Sequence, residues 1–258
     1  MSALKKLKEQ YYGLSASWHL ASSVRRLRRL ERRVEGNAGR WRIPFEFRGR
    51  GFFKRIRPMQ SEAEIQGLYD RVLRQRPKVV MEIGTCHGGT LYMWCQAADP
   101  KATLISLDLP SGEFGGGYRD CRSKLYEQFR QSSQTLHLVR ANSHDAATTQ
   151  HIESLLGGKK IDFLFIDGDH TYEGVKRDFQ LYSPLVAPGG LVGLHDIVRR
   201  PAQPRIEVWQ FWDELKASAF EPCEWIETQP GQRSIGIGVV RMPSCATVRF
   251  VFSIVTKT

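Results

Sequence analysis

The chain has 258 residues, 41% hydrophobic and 25% charged, which suits one large globular domain with its own core plus an appendage. No apolar run approaches the roughly 18 residues of a membrane span, and YYGLSASWHLASS is too broken by polar residues to be the apolar part of a signal peptide. The net charge of +11 is concentrated in residues 1–60, where sixteen Lys and Arg face four Glu and leave the other 198 residues at −1, so the basic balance does not mark the main body as a nucleic-acid binder.

In chain order, the first element is a basic amphipathic helix in LASSVRRLRRLERRVEG. Leu20, Val24, Leu27, Leu30 and Val34 recur at steps of three and four with arginines between them, and Gly36 supplies a stop. Three uses of it stand open: packing on its own or a partner's domain, including a homo-oligomer; resting on an anionic membrane surface; and, least favoured for want of stacking aromatics, nucleic acid. WRIPFEFRGRGFFKRIRP then reads as irregular or strand-like linker broken by Pro44, Gly49 and Gly51. SEAEIQGLYDRVLRQ reads as a helix opened by Ser61, with Glu64 at capping-box spacing.

From there the runs KVVMEIG, ATLISLD, TLHLVRA, IDFLFID and GLVGLHD alternate with helical segments, the pattern of a parallel sheet covered on both faces. After a helix in IEVWQFWDELKAS, the strands CEWIETQ and SIGIGVVRM follow with no helix between them, so a terminal antiparallel hairpin is expected. TVRFVFSIVTKT reads as an extra strand or arm. Cys86, Cys95, Cys121, Cys223 and Cys245 form no C-x-x-C pair and suit free thiols in a reducing cytoplasm.

In open parallel sheets ligands bind beyond the carboxyl ends of strands, so what each strand ends in is informative. The first ends MEIGTCHGGT, whose glycines 84, 88 and 89 allow a tight turn and close approach to a ligand. The spacing is neither G-x-G-x-x-G nor a P-loop. Glu82 there would repel a phosphate but not a cationic sulfonium. The second strand ends at Asp108, 24 residues after Gly84, about where an acid reaches ribose hydroxyls. The third ends RANSHD, where Asn142 or Ser143 either flanks an adenine or caps a helix. The fourth ends Asp167-Gly168-Asp169-His170 and the fifth His195-Asp196. Asp167, His195 and Asp196 are ligand types for a divalent cation, and His170 is placed to reach a substrate proton.

On these motifs, residues 60–240 resemble a class I S-adenosylmethionine-dependent methyltransferase. VVMEIGTCHGGT matches that superfamily's first motif, and FLFIDGDHTYEGVKRDFQLYSPLVAPGGLVGLHDI is similar to its small-molecule and sugar O-methyltransferases. The resemblance implies a Rossmann-like, doubly wound seven-stranded sheet, mostly parallel with a C-terminal antiparallel hairpin, in an α/β domain over 59–242. A basic helical segment (1–58) would precede it and a strand or arm (243–258) follow.

It also implies S-adenosylmethionine bound by Glu82, Gly84, Thr85, Gly88, Asp108 and Ser143. A divalent cation, magnesium or manganese, would lie on Asp167, His195 and Asp196, and catalysis would fall to His170 and Asp167. The His-Asp pair departs from the acidic pair of metal-dependent relatives, and imidazole is a poor magnesium ligand. The implied reaction is methyl transfer to a hydroxyl of a small molecule or glycan, such as a lipid-linked sugar, in the cytoplasm or peripheral at the membrane. The alternatives are a metal-dependent hydrolase or oxygenase using the His/Asp cluster, and a binding protein on a degenerate enzyme fold. Against them, Glu82 with Asp108 would be unexplained in the first and every strand end is intact for the second. The loop PSGEFGGGYRD, glycine-rich from 112 to 117, is a candidate lid.

Overall fold

The computed structural model describes residues 15–110, 117–218, 221–228 and 234–243. The expected strand or arm near the C-terminus, Cys245, and most of the candidate lid therefore lie outside the described residues.

Seven strands form one sheet: β1 (Val79–Ile83), β2 (Thr103–Asp108), β3 (Thr135–Arg140), β4 (Ile161–Ile166), β5 (Val186–His195), β6 (Glu221–Trp225) and β7 (Ile237–Arg241). Their order is β3-β2-β1-β4-β5-β7-β6. The first five are parallel; β7 runs antiparallel to both β5 and β6. This is the expected Rossmann-like sheet with its C-terminal hairpin. Strand order reverses between β1 and β4, the place where such sheets open a crevice. β1 and most of β4 are buried, as strands covered on both faces must be.

The helices are α1 (Ala16–Glu31), α2 (Ile43–Glu46), α3 (Glu62–Gln75), α4 (Gly89–Ala97), α5 (Ser123–Tyr126), α6 (Ala146–Leu156), α7 (Tyr172–Tyr182) and α8 (Val208–Lys216). One side of the sheet packs against α6, α7 and α8 through Ile152, Phe179 and Trp212; the other packs against α3 and α4 through Leu68 and Trp94.

The segment read as linker is not irregular. It folds into α2 between two single 3₁₀ turns, Arg40–Arg42 and Gly51–Phe53, and buries Trp41, Ile43, Phe45, Phe47, Phe53 and Ile56 in the same core as α3 and α4. Its aromatics win over its helix breakers because α4 offers them an apolar surface. All nine residues of α4 are buried, as a helix apolar on every side requires. The chain passes close over the start of α4: a Cβ on Gly89 would stand 2.4 Å from the Ile56 carbonyl oxygen.

α1 closes the same side. Its most buried positions are His19, Ser23, Leu27 and Glu31, with Leu20, Val24, Leu30 and Val34 partly buried around them. Ser23 accepts a hydrogen bond from the Arg50 amide (2.9 Å), and Arg28 donates to the Gln128 carbonyl (2.9 Å). The helix thus lies on its own domain, leaving Trp18, Arg25 and Arg29 exposed. At α3 the expected capping box is absent: Ser61 makes no side-chain cap. Glu64 Oε1 turns instead to the amides of Glu227, Ile235 and Gly236 (2.8, 3.2 and 3.0 Å), pinning the far end of the sheet.

Among the described residues no helix is long and apolar enough to cross a membrane.

Candidate active site

The carboxyl ends of β1, β2, β4 and β5 meet at a cavity of about 560 Å³, within the usual range for small-molecule sites. Gly84, Cys86, Asp108, Ser143, Asp167, Asp169, His170, His195 and Asp196 all line it.

The β1 end requires glycine at one point above all. Gly84 has φ +101°, and a Cβ there would come within 2.1 Å of the Asp167 carbonyl oxygen. Its amide completes the parallel ladder by donating to the Leu107 carbonyl (2.8 Å). Cys86 follows with φ +44°, uncommon for a residue with a side chain, which aims its amide at Asp108 Oδ2 (3.2 Å). Asp108 Oδ1 accepts from the Gly117 amide (3.3 Å). Burial pushes the Asp108 carboxyl up to about 6, against the pull of these amides and of Arg140.

The six residues expected to bind cofactor divide. Gly84, Asp108 and Ser143 line the cavity; Glu82, Thr85 and Gly88 stand behind it. Glu82 points to the α4 side and is 1% exposed; Oε1 accepts from Ser106 Oγ (2.7 Å), which in turn meets Thr85 Oγ1 (2.6 Å). Burial drives the Glu82 carboxyl up to about 8, so near neutral pH it is chiefly uncharged. Gly88 faces the ring of Tyr126. The β3 loop is held by Tyr182, whose hydroxyl donates to the Ser143 carbonyl (2.8 Å), and by Asn142, whose side chain accepts from the His144 amide (2.9 Å). Asp145, not Asn142 or Ser143, occupies the N-cap position of α6, and it makes no side-chain cap.

The Asp-Gly-Asp-His run divides its labour. Asp169 serves the turn: Oδ1 accepts from the Thr171 amide and hydroxyl (2.9 and 2.8 Å), while Thr171 caps α7 by accepting from the Gly174 amide. Asp167 and His170 face the cavity and join β5. Asp167 Oδ1 pairs with His195 Nδ1 (2.9 Å), and Asp167 Oδ2 accepts from Gln60 Nε2 (2.7 Å). Asp196, held in the left-handed region at φ +65°, pairs with His170 Nδ1 (2.8 Å) and with Arg200. Burial alone would lower both histidines, yet the Asp167 and Asp196 carboxylates hold His170 and His195 above the ordinary imidazole value. Burial opposes charge on Asp196 too, but His195, His170 and Arg200 outweigh it and bring the carboxyl to about 2.

For a cation, the expected set was Asp167, His195 and Asp196. The trio whose ligand atoms converge within 4.8 Å is instead Asp167, His170 and Asp196. His195 Nδ1 lies 2.9 Å from Asp167 and 3.5 Å from Asp196, and its Nε2 points into buried space without a hydrogen-bond partner. By type and spacing the trio fits a divalent cation. Each of its carboxylate oxygens already has a protein donor, so a cation would compete with those hydrogen bonds.

Gln60 and Arg200 are members of this network that strand-end reasoning missed. Arg200 lies four residues after Asp196, a spacing that hints at the pair. Gln60 arrives from 107 residues upstream, and nothing local signals it.

Residues 81–197 match a family model described as a methyltransferase domain. An uncharacterised protein of Acanthamoeba polyphaga mimivirus is 34% identical over 147 residues, 56% of this chain and 64% of that one. An uncharacterised protein of Sinorhizobium fredii is 28% identical over 145 residues, 55% of this chain; the match spans only 15% of that longer protein. Among solved structures, an O-methyltransferase from Bacillus cereus in complex with SAH aligns over 72% of this chain and 84% of its own (TM-score 0.54, 19% identity). The O-methyltransferase TomG from Streptomyces achromogenes, in complex with SAM, aligns over 80% and 88% (TM-score 0.52, 17% identity). The sheet order, the switch-point cavity and the solved neighbours agree on a Rossmann-like methyltransferase fold, within which residues 81–197 are similar to the methyltransferase-domain family.

Proposed function

We propose that the chain is an S-adenosylmethionine-dependent O-methyltransferase acting on a hydroxyl of a small molecule or glycan, with His170 as general base. The observation that carries this reading is one cavity that joins Gly84, Asp108 and Ser143 on one side to the Asp167–His195 and Asp196–His170 pairs on the other. The family match supports it, as do neighbours of this fold that hold the cofactor or its product.

When bound, S-adenosylmethionine supplies an activated methyl group on a sulfonium. The chain's own part is to orient and to move a proton. Gly84 lets the β1 loop lie against the end of β4 at the cavity wall, and Asp108 accepts hydrogen bonds from ribose hydroxyls. Asp196 holds His170 Nδ1, which fixes the tautomer whose Nε2 is the basic nitrogen. His170 takes the acceptor's hydroxyl proton as the oxygen attacks. Asp167, steadied by Gln60 and His195, keeps negative charge beside the resulting imidazolium. A divalent cation on Asp167, His170 and Asp196 is a variant of the same reading; it would polarise the hydroxyl in place of the imidazole.

The test is calorimetric titration of S-adenosylmethionine into chelator-treated protein and into Asp108→Ala. Micromolar binding that weakens about 10- to 100-fold in the variant is expected, the loss of one or two charge-assisted hydrogen bonds. A folded protein that does not bind overturns the assignment. Restoring metal to the chelated enzyme, in an assay of hydroxylated acceptors, separates the two forms of proton transfer.

A further inference from the structure

A second, larger cavity of about 750 Å³ adjoins the first and is built from the segment preceding α3. Met59 and Ile235 line both cavities, and Gln60 lines the outer one while its side chain holds Asp167 in the inner one. Among the described residues, these side chains stand at the boundary between the outer cavity and the one that holds the His170 cluster.

The outer cavity is rimmed by Arg42, Arg55 and Arg57. Two acids also line it: Glu62, which pairs with Arg57 at 3.2 Å, and Glu227, which is buried. Arg42 and Arg55 pair with no carboxylate among the described residues. Their place is fixed by the fold: Arg122 donates to the carbonyls of Phe52, Arg55 and His87 (2.5, 2.7 and 3.1 Å), tying the segment to the β1 loop. Gly89 lets the same chain lie directly on α4. The positive field is felt locally, since His87 is held below its usual value by burial and then by Arg122 and Arg55.

This inference rests on the methyl-transfer reading and deepens it. We propose that the outer cavity anchors the acceptor through a phosphate ester, so that the substrate is a phosphorylated hydroxyl compound whose oxygen reaches past Met59 toward His170. Guanidinium forks suit phosphate oxygens in bidentate fashion, and a dianion matches the two unpaired arginines as one carboxylate does not. The phosphate is either that of a free sugar phosphate or nucleotide sugar, or that of a lipid carrier.

The experiment uses the full chain and inorganic pyrophosphate as probe, followed by calorimetry with and without saturating S-adenosylhomocysteine. The variants are Arg42→Gln/Arg55→Gln, the charge-keeping Arg42→Lys/Arg55→Lys, and an Arg25→Gln/Arg29→Gln control on the exposed face of α1. Pyrophosphate affinity should fall at least about tenfold in the glutamine pair, less in the lysine pair, and stay unchanged in the control. S-adenosylhomocysteine affinity should be the same in all four proteins. Equal pyrophosphate affinity across the set, or none in the parent, overturns the proposal. Failure of S-adenosylhomocysteine to bind overturns the methyltransferase reading instead, whatever pyrophosphate does. Sedimentation with phosphatidylcholine vesicles containing phosphatidylglycerol assigns the source: dependence on Arg42 and Arg55 there marks a lipid-borne phosphate, and dependence confined to pyrophosphate a free one.

Discussion

At the scale of residues, the site concentrates the places where ordinary preferences are broken. Cys86 and Asp196, two residues with side chains at positive φ, both stand at strand ends and both aim a polar group at another site residue. On the proposed reading, His170 is the residue on which the chemistry turns. Replacing it by Ala should lower kcat by about 10²–10⁴, the range for a positioned acid–base group, with S-adenosylmethionine affinity nearly unchanged. Single-turnover kinetics beside a binding isotherm checks this, and equal losses in both would contradict the role.

Glu82 makes a different, thermodynamic prediction. Its carboxyl is raised from 4.5 to about 8 by burial, so the folded state holds a proton that the unfolded chain gives up. Its contribution to stability is full below about 4.5 and is lost as pH rises through 8. Glu82→Gln, which keeps the shape without the ionisation, should flatten that decline, by up to a few kcal/mol across the interval. Urea denaturation at pH 5 and pH 8.5 reads the difference; a variant with the parent's pH slope would refute the assignment.

At the scale of elements, the third motif glycine, Gly89, illustrates how one sequence pattern can serve two purposes. The run 84–89 reads as a ligand loop; Gly84 lines the cavity and also yields to the Asp167 backbone, whereas Gly89 yields only to the Ile56–Pro58 backbone that crosses it. Gly89→Val should therefore destabilise the fold by about 2–4 kcal/mol through overpacking against backbone that has nowhere to move. The expected signature in thermal and urea unfolding is a lowered midpoint with α1 and α2 more open to hydrogen exchange. Unchanged protection of α1 and α2 would show that the crossing is not tight. α4 carries the same lesson: GTLYMWCQA is apolar on every side, a pattern that asks for a cover on its outer face, and α2 with its flanking turns supplies it.

At the scale of the whole molecule, residues 15–57 of the basic front end are part of the structure of the sheet domain. Deleting residues 1–57 would strip Leu27, Trp41, Ile43, Phe45, Phe47, Phe53 and Ile56 from one core. At roughly 1.5–3 kcal/mol for each buried side chain, that loss rivals the roughly 5–15 kcal/mol stability of a typical domain. The truncated chain should be insoluble or lack cooperative unfolding by circular dichroism, and a truncated form that unfolds with the parent's midpoint would contradict this.

Much of the architecture was legible because its causes are local. Alternating apolar runs and helical stretches dictated a parallel sheet, two strands without an intervening helix dictated the hairpin, and strand-end acids and histidines marked the site edge. Gly84, Asp108, Asp167 and His170 could be named because a sheet delivers its strand ends to one crevice. Tertiary structure alone decided which of those groups meet: His195 Nδ1 lies 2.9 Å from Asp167 and 3.5 Å from Asp196, and His170 joins the same two carboxylates in the trio whose ligand atoms converge. Glu82 and Gly88 face away, Glu64 leaves its helix cap for three distant amides, and Gln60 crosses from the front segment to Asp167. Periodicity and turn chemistry act between near neighbours in the chain and so are written in it. The partner of a buried polar group is whichever donor packing brings within hydrogen-bonding distance, and that is settled only when the layers close.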